Sequence, residues 1–173
     1  MIAAAAVFLG GCQTVEVPDV ATHIDPSTHI RTDLIPENLL ETSGPTRELL
    51  WLNASRVFKD YQNFDYYLEV HYEAMEETGL LKINPGSSLT VIANGQEVKF
   101  RGSGGMNARS SRRGILSEDA IYPVSGEDLK MIAYSDTLSV RVSGANGVLT
   151  REFQVANFDR FRKFVAQFVE AVE

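Results

Sequence analysis

Leu89-Thr90-Val91-Ile92-Ala93-Asn94-Gly95-Gln96-Glu97-Val98-Lys99-Phe100 is the stretch whose reading decides the fold of this chain. The two central residues of a type I′ turn both need positive φ, which Asn and Gly tolerate, so the flanking segments are expected to fold back as antiparallel strands. With Asn94-Gly95 at the turn, Leu89 faces Phe100, Val91 faces Val98 and Thr90 faces Lys99. Asn146-Gly147 predicts a second hairpin, with Val140 facing Phe153, Leu138 facing Val155 and Arg141 facing Glu152. Apolar residues then meet across the strands and opposite charges coincide, whereas a slip of one residue would turn Phe153 to the polar face.

Outward from the hairpins, Tyr66 to Met75 alternates: Tyr66, Leu68, Val70 and Tyr72 point one way, Tyr67, Glu69, His71 and Glu73 the other. A strand with one buried and one wet face has this period of two. Leu49 to Phe58 fits two templates. Leu50, Ala54, Val57, Phe58 and Tyr61 share a helical face, while Leu49, Trp51 and Val57 take alternate strand positions. The turn-like Lys59 to Asp65 that follows favours the strand. Ala120, Ile121, Tyr122 and Val124 predict a short strand that Pro123 confines to an edge or a strand end. Ser125-Gly126-Glu127-Asp128 is an acidic variant of a capping box, opening a helix through Leu129, Ile132 and Ala133. A last helix is expected with Asn157 as N-cap. Its Phe158, Phe161, Phe164, Val165, Phe168, Val169 and Val172 fall, at about 100° per residue, in an arc of roughly 140°. The fold class is therefore α+β: an antiparallel sheet or small sandwich of hairpins with a C-terminal amphipathic helix packed on it.

One globular domain is expected over residues 46–173. Ahead of it, Pro18, Pro26, Pro36 and Pro45 punctuate a stretch without sustained apolar period, so residues 12–45 are expected to form a partly extended, proline-containing tether. Leu34-Ile35 and Leu39-Leu40 are apolar enough to dock on the domain.

At the N-terminus, Ile2 to Leu9 is an unbroken apolar run ending in Leu9-Gly10-Gly11-Cys12. It is too short to span a bilayer, which takes about 20 apolar residues, and has the length of a signal-peptide core. The motif resembles the lipobox of bacterial lipoproteins, and the chain as a whole resembles small lipoproteins of Gram-negative envelopes, a likeness that implies no activity. What it implies is removal of residues 1–11 as a signal peptide and lipidation of Cys12, which becomes the first mature residue. Gln13, where an Asp would retain such a protein at the inner membrane, implies attachment to the outer membrane. Met1 to Ala4 carries no Lys or Arg, so the charged start of the signal is expected upstream of Met1.

The 173 residues are 44% hydrophobic and 23% charged, with a formal net charge of −7. That charge argues against non-specific nucleic-acid binding and against attraction to an anionic lipid surface. A single cysteine excludes an internal disulfide. No second apolar run is long enough to cross a membrane, so membrane contact is assigned to the lipid, whose two chains make anchoring durable.

Chemistry-bearing motifs are sparse. His23, His29 and His71 have no ligand spacing and are expected as surface histidines, and neither metal nor cofactor is expected. Gly102-Ser103-Gly104-Gly105 lacks the pattern of a phosphate loop, no G-x-S-x-G occurs, and Asn53-Ala54-Ser55 is a short acceptor match of little weight. Arg101, Arg109, Arg112 and Arg113 gather in or beside a Gly- and Ser-rich loop, Gly102 to Gly114, of an otherwise acidic chain. Guanidinium groups bind carboxylate and phosphate bidentately, which makes the loop a candidate contact for an anion or polar glycan, against the plainer reading of a solvated connection. The expected function is a non-catalytic, lipid-anchored envelope module that contacts a protein or glycan. The alternative is an envelope enzyme using paired carboxylates such as Glu69, Glu73 and Glu118.

Expressed behind a complete signal, Cys12→Ala is expected to accumulate as uncleaved precursor, or as soluble periplasmic protein if another peptidase trims it. Fractionation with a high-salt wash checks this. A variant that matures normally and stays with the membrane would overturn the lipobox assignment.

Overall fold

The computed structural model describes residues 19–42, 47–60, 63–105, 111–112 and 114–172. Ten strands and two helices follow one another: β1 (Ala21–Ile24), β2 (Arg31–Leu34), β3 (Glu48–Phe58), β4 (Phe64–Met75), β5 (Gly86–Ala93), β6 (Gln96–Gly102), β7 (Ser111–Arg112), β8 (Ile115–Val124), α1 (Gly126–Tyr134), β9 (Leu138–Gly144), β10 (Gly147–Glu152) and α2 (Val155–Phe168). A 3-10 turn, Glu170–Val172, ends the described chain. The strands form two antiparallel sheets, one in the order β1-β2-β3-β4-β8-β7 and one in the order β10-β9-β5-β6. This is the α+β architecture expected from the hairpins and the C-terminal helix.

The first hairpin has the register read from its turn, with Leu89 opposite Phe100 and Val91 opposite Val98. Asn94 and Gly95 both have positive φ, 50° and 83°, as a type I′ turn demands. The second hairpin differs. Val140 pairs with Arg151 and Gly144 with Gly147, a shift of two residues from the expected register. The turn is centred on Ala145-Asn146, and the positive φ of 151° falls on Gly147 at the first strand position instead of on Asn146. A shift of two preserves which face each side chain takes, so Val140, Val142 and Leu149 remain buried.

The same correction releases Val155, expected as a strand partner of Leu138, to begin α2. The N-cap is Gln154, not Asn157. Asn157 sits one turn in, where its Oδ1 accepts the Gln154 N–H at 2.8 Å. Its Nδ2 donates to Asn38 Oδ1 and to the Leu39 carbonyl at 2.9 and 2.8 Å. At the other helix Ser125 caps α1 as expected. Its Oγ accepts the Asp128 N–H at 3.1 Å, and Asp128 Oδ2 accepts the Ser125 N–H at 2.8 Å.

One apolar core joins both sheets and both helices. Leu50, Leu52 and Ala54 of β3, Leu68, Val70 and Tyr72 of β4, and Ala120 and Tyr122 of β8 line its floor. Phe158, Phe161, Phe164, Val165 and Phe168 of α2 cover it. The expected ambiguity over Leu49 to Phe58 resolves as a strand, paired with β4 along its whole length. The strand expected from Ala120 begins earlier, at Ile115, because Glu118 occupies a core-facing position and interrupts the apolar pattern. Its carboxylate is used by backbone: Oε2 and Oε1 accept the N–H groups of Lys82 and Ile83 at 2.8 and 2.6 Å. Pro123 lies near the end of β8, as expected.

The largest correction concerns the stretch expected as a tether. From Asp19 onward it belongs to the domain. Residues 21–24 and 31–34 form an edge hairpin on β3, and Ile35 and Leu40 are buried in the core. Asp33 is the polar anchor. Arg56 Nη2 and Nε donate to its Oδ2 at 2.7 and 3.2 Å, and Thr22 and Arg31 donate to Oδ1 at 2.7 and 2.9 Å. Arg56 also donates to the Phe168 carbonyl at 3.1 Å and lies 4.8, 5.2 and 4.5 Å from the ring centroids of Phe58, Phe64 and Phe168. Burial pushes the Asp33 carboxyl up, but the hydrogen bonds from Arg56, Thr22 and Arg31 outweigh it and hold the group below the usual carboxylate range.

Removing one partner of a buried ion pair strands the other, so Asp33→Ala is expected to cost about 3–5 kcal/mol. In an Arg56→Met background the same change should cost much less. Urea denaturation of the four proteins checks this double-mutant cycle. A depressed carboxyl stabilises above its unfolded value of about 3.9, so this contribution should fade as pH falls below it.

Candidate functional site

The helices and second sheet cover one face of the six-stranded sheet; its other face carries the wet positions of β3, β4 and β8. Three of them align in one row across the strands, because Trp51 pairs with His71 and His71 with Asp119. The Trp51 and His71 rings lie 5.0 Å apart. His71 Nδ1 stands 2.5 Å from Asp119 Oδ1, and Nε2 stands 3.2 Å from Glu73 Oε1. Both ring nitrogens thus face acceptors, and only the doubly protonated ring donates to both. The hydrogen bond to Asp119 holds the His71 pKa above its ordinary value against the opposing effect of burial, with Glu73 adding to it.

One row along, Glu69 receives a hydrogen bond from buried Ser55. Burial pushes the Glu69 carboxyl up, the Ser55 hydroxyl pulls it down, and the negative charge of Asp119 raises it further, leaving a net rise. Around this polar centre lie Leu49, Met75, Ile115 and Ile121, all exposed although large and apolar. Arg47, Leu49, Glu73, Met75 and Ile115 line a hollow of about 130 Å³ at one end. A strand surface combining aromatic, apolar and ionised groups suits docking of an extended or flat partner.

His71 was expected as a surface histidine; it is half-buried and held by two carboxylates. Its partner Asp119 escaped the sequence because β8 appeared to start at Ala120. The alternation Ile115, Ser117, Asp119, Ile121 was the available signal, masked by Glu118 at a core position. Of the carboxylates named for acid–base chemistry, Glu69 and Glu73 flank His71, while Glu118 binds backbone on the opposite face.

Cys12, Arg109 and Arg113 lie outside the described residues. Arg101 is exposed in β6. Arg112 belongs to β7, whose backbone pairs with Ile115, so this two-residue strand joins the sheet beside the apolar end of the open face. Among the described residues no group of three or more His, Cys, Asp or Glu is arranged to hold a metal ion. No described helix is long and apolar enough to cross a membrane. No protein-family model, curated protein or solved structure matches the chain.

A histidine raised by a carboxylate contributes stability that is complete below about pH 6.5 and is lost as pH rises through its folded value. An NMR titration should place the His71 midpoint above 6.5 by this reference, and Asp119→Asn should lower it. Equal midpoints in the two proteins would show that the Asp119 contact does not form in solution.

Proposed function

We propose that this chain is a non-catalytic, lipid-anchored envelope protein whose domain binds an envelope protein or glycan through the open face of its larger sheet. The observation that carries the proposal is the Trp51–His71–Asp119 row set among exposed Leu49, Met75, Ile115 and Ile121. Surface apolar residues scattered singly need no explanation, but a group of this size around a ring pair and fixed charges is characteristic of an interaction surface. The β7 strand that carries Arg112 borders the proposed surface beside Ile115, where arginine would meet acidic groups of a partner, whereas Arg101 lies in β6 of the other sheet. Membrane attachment rests on the Leu9 to Cys12 motif, and the outer membrane on Gln13.

A second reading has one observation in its favour. Glu69 is a carboxyl raised by burial and by the charge of Asp119, on the same strand face as His71, and a raised carboxyl is what a general acid requires. The two readings separate on chemistry: an enzyme would lose turnover on Glu69→Gln, whereas a binder depends on the apolar rim.

Wild-type protein and an Ile121→Asp, Met75→Asp double variant should have nearly equal denaturation midpoints, since both side chains are exposed. Coupled to beads and mixed with solubilised envelopes, the wild type is expected to retain a defined component at least tenfold better than the double variant. Equal retention by both would remove the open face as the contact surface.

A further inference from the structure

The link between the lipidation motif and the folded domain is far shorter than the prolines suggest. Asp19 is already part of the domain, its carboxylate bound to Lys163 of α2, and only residues 13–18 separate it from Cys12. A fully extended chain advances at most about 3.6 Å per residue, so Asp19 lies within about 25 Å of a lipid attached at Cys12. A domain held so closely must present one flank to the bilayer.

The flank available is the edge hairpin that begins at Ala21. Ile24 is five residues beyond Asp19, roughly 17 Å at the strand rise, and the turn folds back there, with the Asp25 N–H donating to the Ile30 carbonyl at 3.0 Å. This tip exposes Ile24 at 58% and Ile30 at 42%. Behind them a hollow of about 470 Å³ is bounded by Arg31 and Phe58. Among the described residues the other large apolar side chains at the surface lie on the open face, on α1, at the start of β10 and at the start of α2. The cations near the tip are already matched: Arg31 is 2.9 Å from Asp33, and Lys59 is 2.6 Å from Asp65. The tip thus sets two exposed isoleucines on either side of a polar turn whose Asp25 carboxylate accepts from Ser27 and Thr28. Without a net basic patch it fits shallow contact, the isoleucines reaching the boundary of headgroups and acyl chains and Asp25 staying among the headgroups, and not electrostatic adsorption.

We propose that the β1–β2 hairpin is a second membrane contact, its Ile24 and Ile30 side chains entering the interfacial region of the bilayer that carries the lipid anchor. The contact orients the domain. Being apolar, it persists at high salt. It rests on Cys12 as the attachment point, and the lipid supplies the high local concentration that makes a two-residue contact effective.

The test couples the chain from Cys12 onward, through its only thiol, to maleimide lipid in neutral phospholipid vesicles. The same chain capped with N-ethylmaleimide is the reference, and amide hydrogen exchange is followed in both. The expected result is exchange at least threefold slower from Ile24 to Arg31 in the coupled protein, unchanged in 0.5 M salt, with no change at Asn94-Gly95. In the Ile24→Ser, Ile30→Ser variant, which alters only exposed side chains, the protection should vanish. Equal exchange in coupled and capped protein would overturn the proposal, as would protection that moves to Met75 and Ile121 or survives in the variant. Because the coupling is chemical, a negative result counts against the hairpin alone, whereas membrane retention of Cys12→Ala in cells counts against the anchor.

Discussion

A guanidinium buried in an apolar core cannot shed its charge, so Arg56 imposes conditions on everything around it. It sits at a core-facing position of β3, and three separate parts of the chain meet its needs. Asp33 of β2 supplies the counter-charge, the last turn of α2 supplies the Phe168 carbonyl, and Phe58, Phe64 and Phe168 surround the planar group with aromatic faces. The Tyr66 hydroxyl donates to the same carbonyl at 2.7 Å, so the end of α2 is tied to two strands at once. A cation at a helix C-terminus is also favoured by the helix dipole. The N-terminal hairpin is therefore not an appendage: without Asp33 the core would contain an uncompensated charge.

This dependence explains why the proline-bearing stretch misled sequence reading. Pro26 falls within the β1–β2 turn and Pro36 two residues past the end of β2, positions outside the strands where a missing N–H does no damage. Proline spacing alone does not distinguish an extended tether from an edge hairpin. The deciding residue was Asp33, which appears as ordinary polar chain until Arg56 is known to be inside. Arg56 was equally hidden, since the strand template grouped Leu49, Trp51 and Val57 on the apolar face, whereas the structure buries Leu50, Leu52, Ala54 and Arg56 on the other.

Where local geometry is self-sufficient, the sequence was legible to the residue. Asn94-Gly95 specifies its turn without help, and its register follows. Asn146-Gly147 does not, because Ala145 precedes it and a turn over Ala145-Asn146 leaves Gly147 to take the positive φ. Two-residue periodicity carried the face assignment through that error. The capping of α1 was legible for the same reason as the first turn, whereas Asn157 was recognised as important but given the wrong place. Its amide spans the helix start and the Asn38–Leu39 segment, a long-range contact no local pattern encodes. The open face was half legible: Glu69, His71 and Glu73 were assigned to the wet side, but their cross-strand neighbours Trp51 and Asp119 emerge only with strand pairing.

Strand order then sets the relation between the proposed anchor and the proposed binding face. β1, the strand nearest Cys12, is one edge of the larger sheet, while β4 with His71 lies three strands in and β7 five. At about 4.8 Å per strand, the Trp51–His71–Asp119 row is centred roughly 14 Å from the β1 edge, and the β7 edge lies roughly 24 Å from it. If the proposed hairpin contact holds the β1 edge toward the bilayer, the polar centre stands clear of that edge and β7 lies farthest from it. A partner approaching from the aqueous side would therefore meet the β7 edge first and the Trp51–His71 row next.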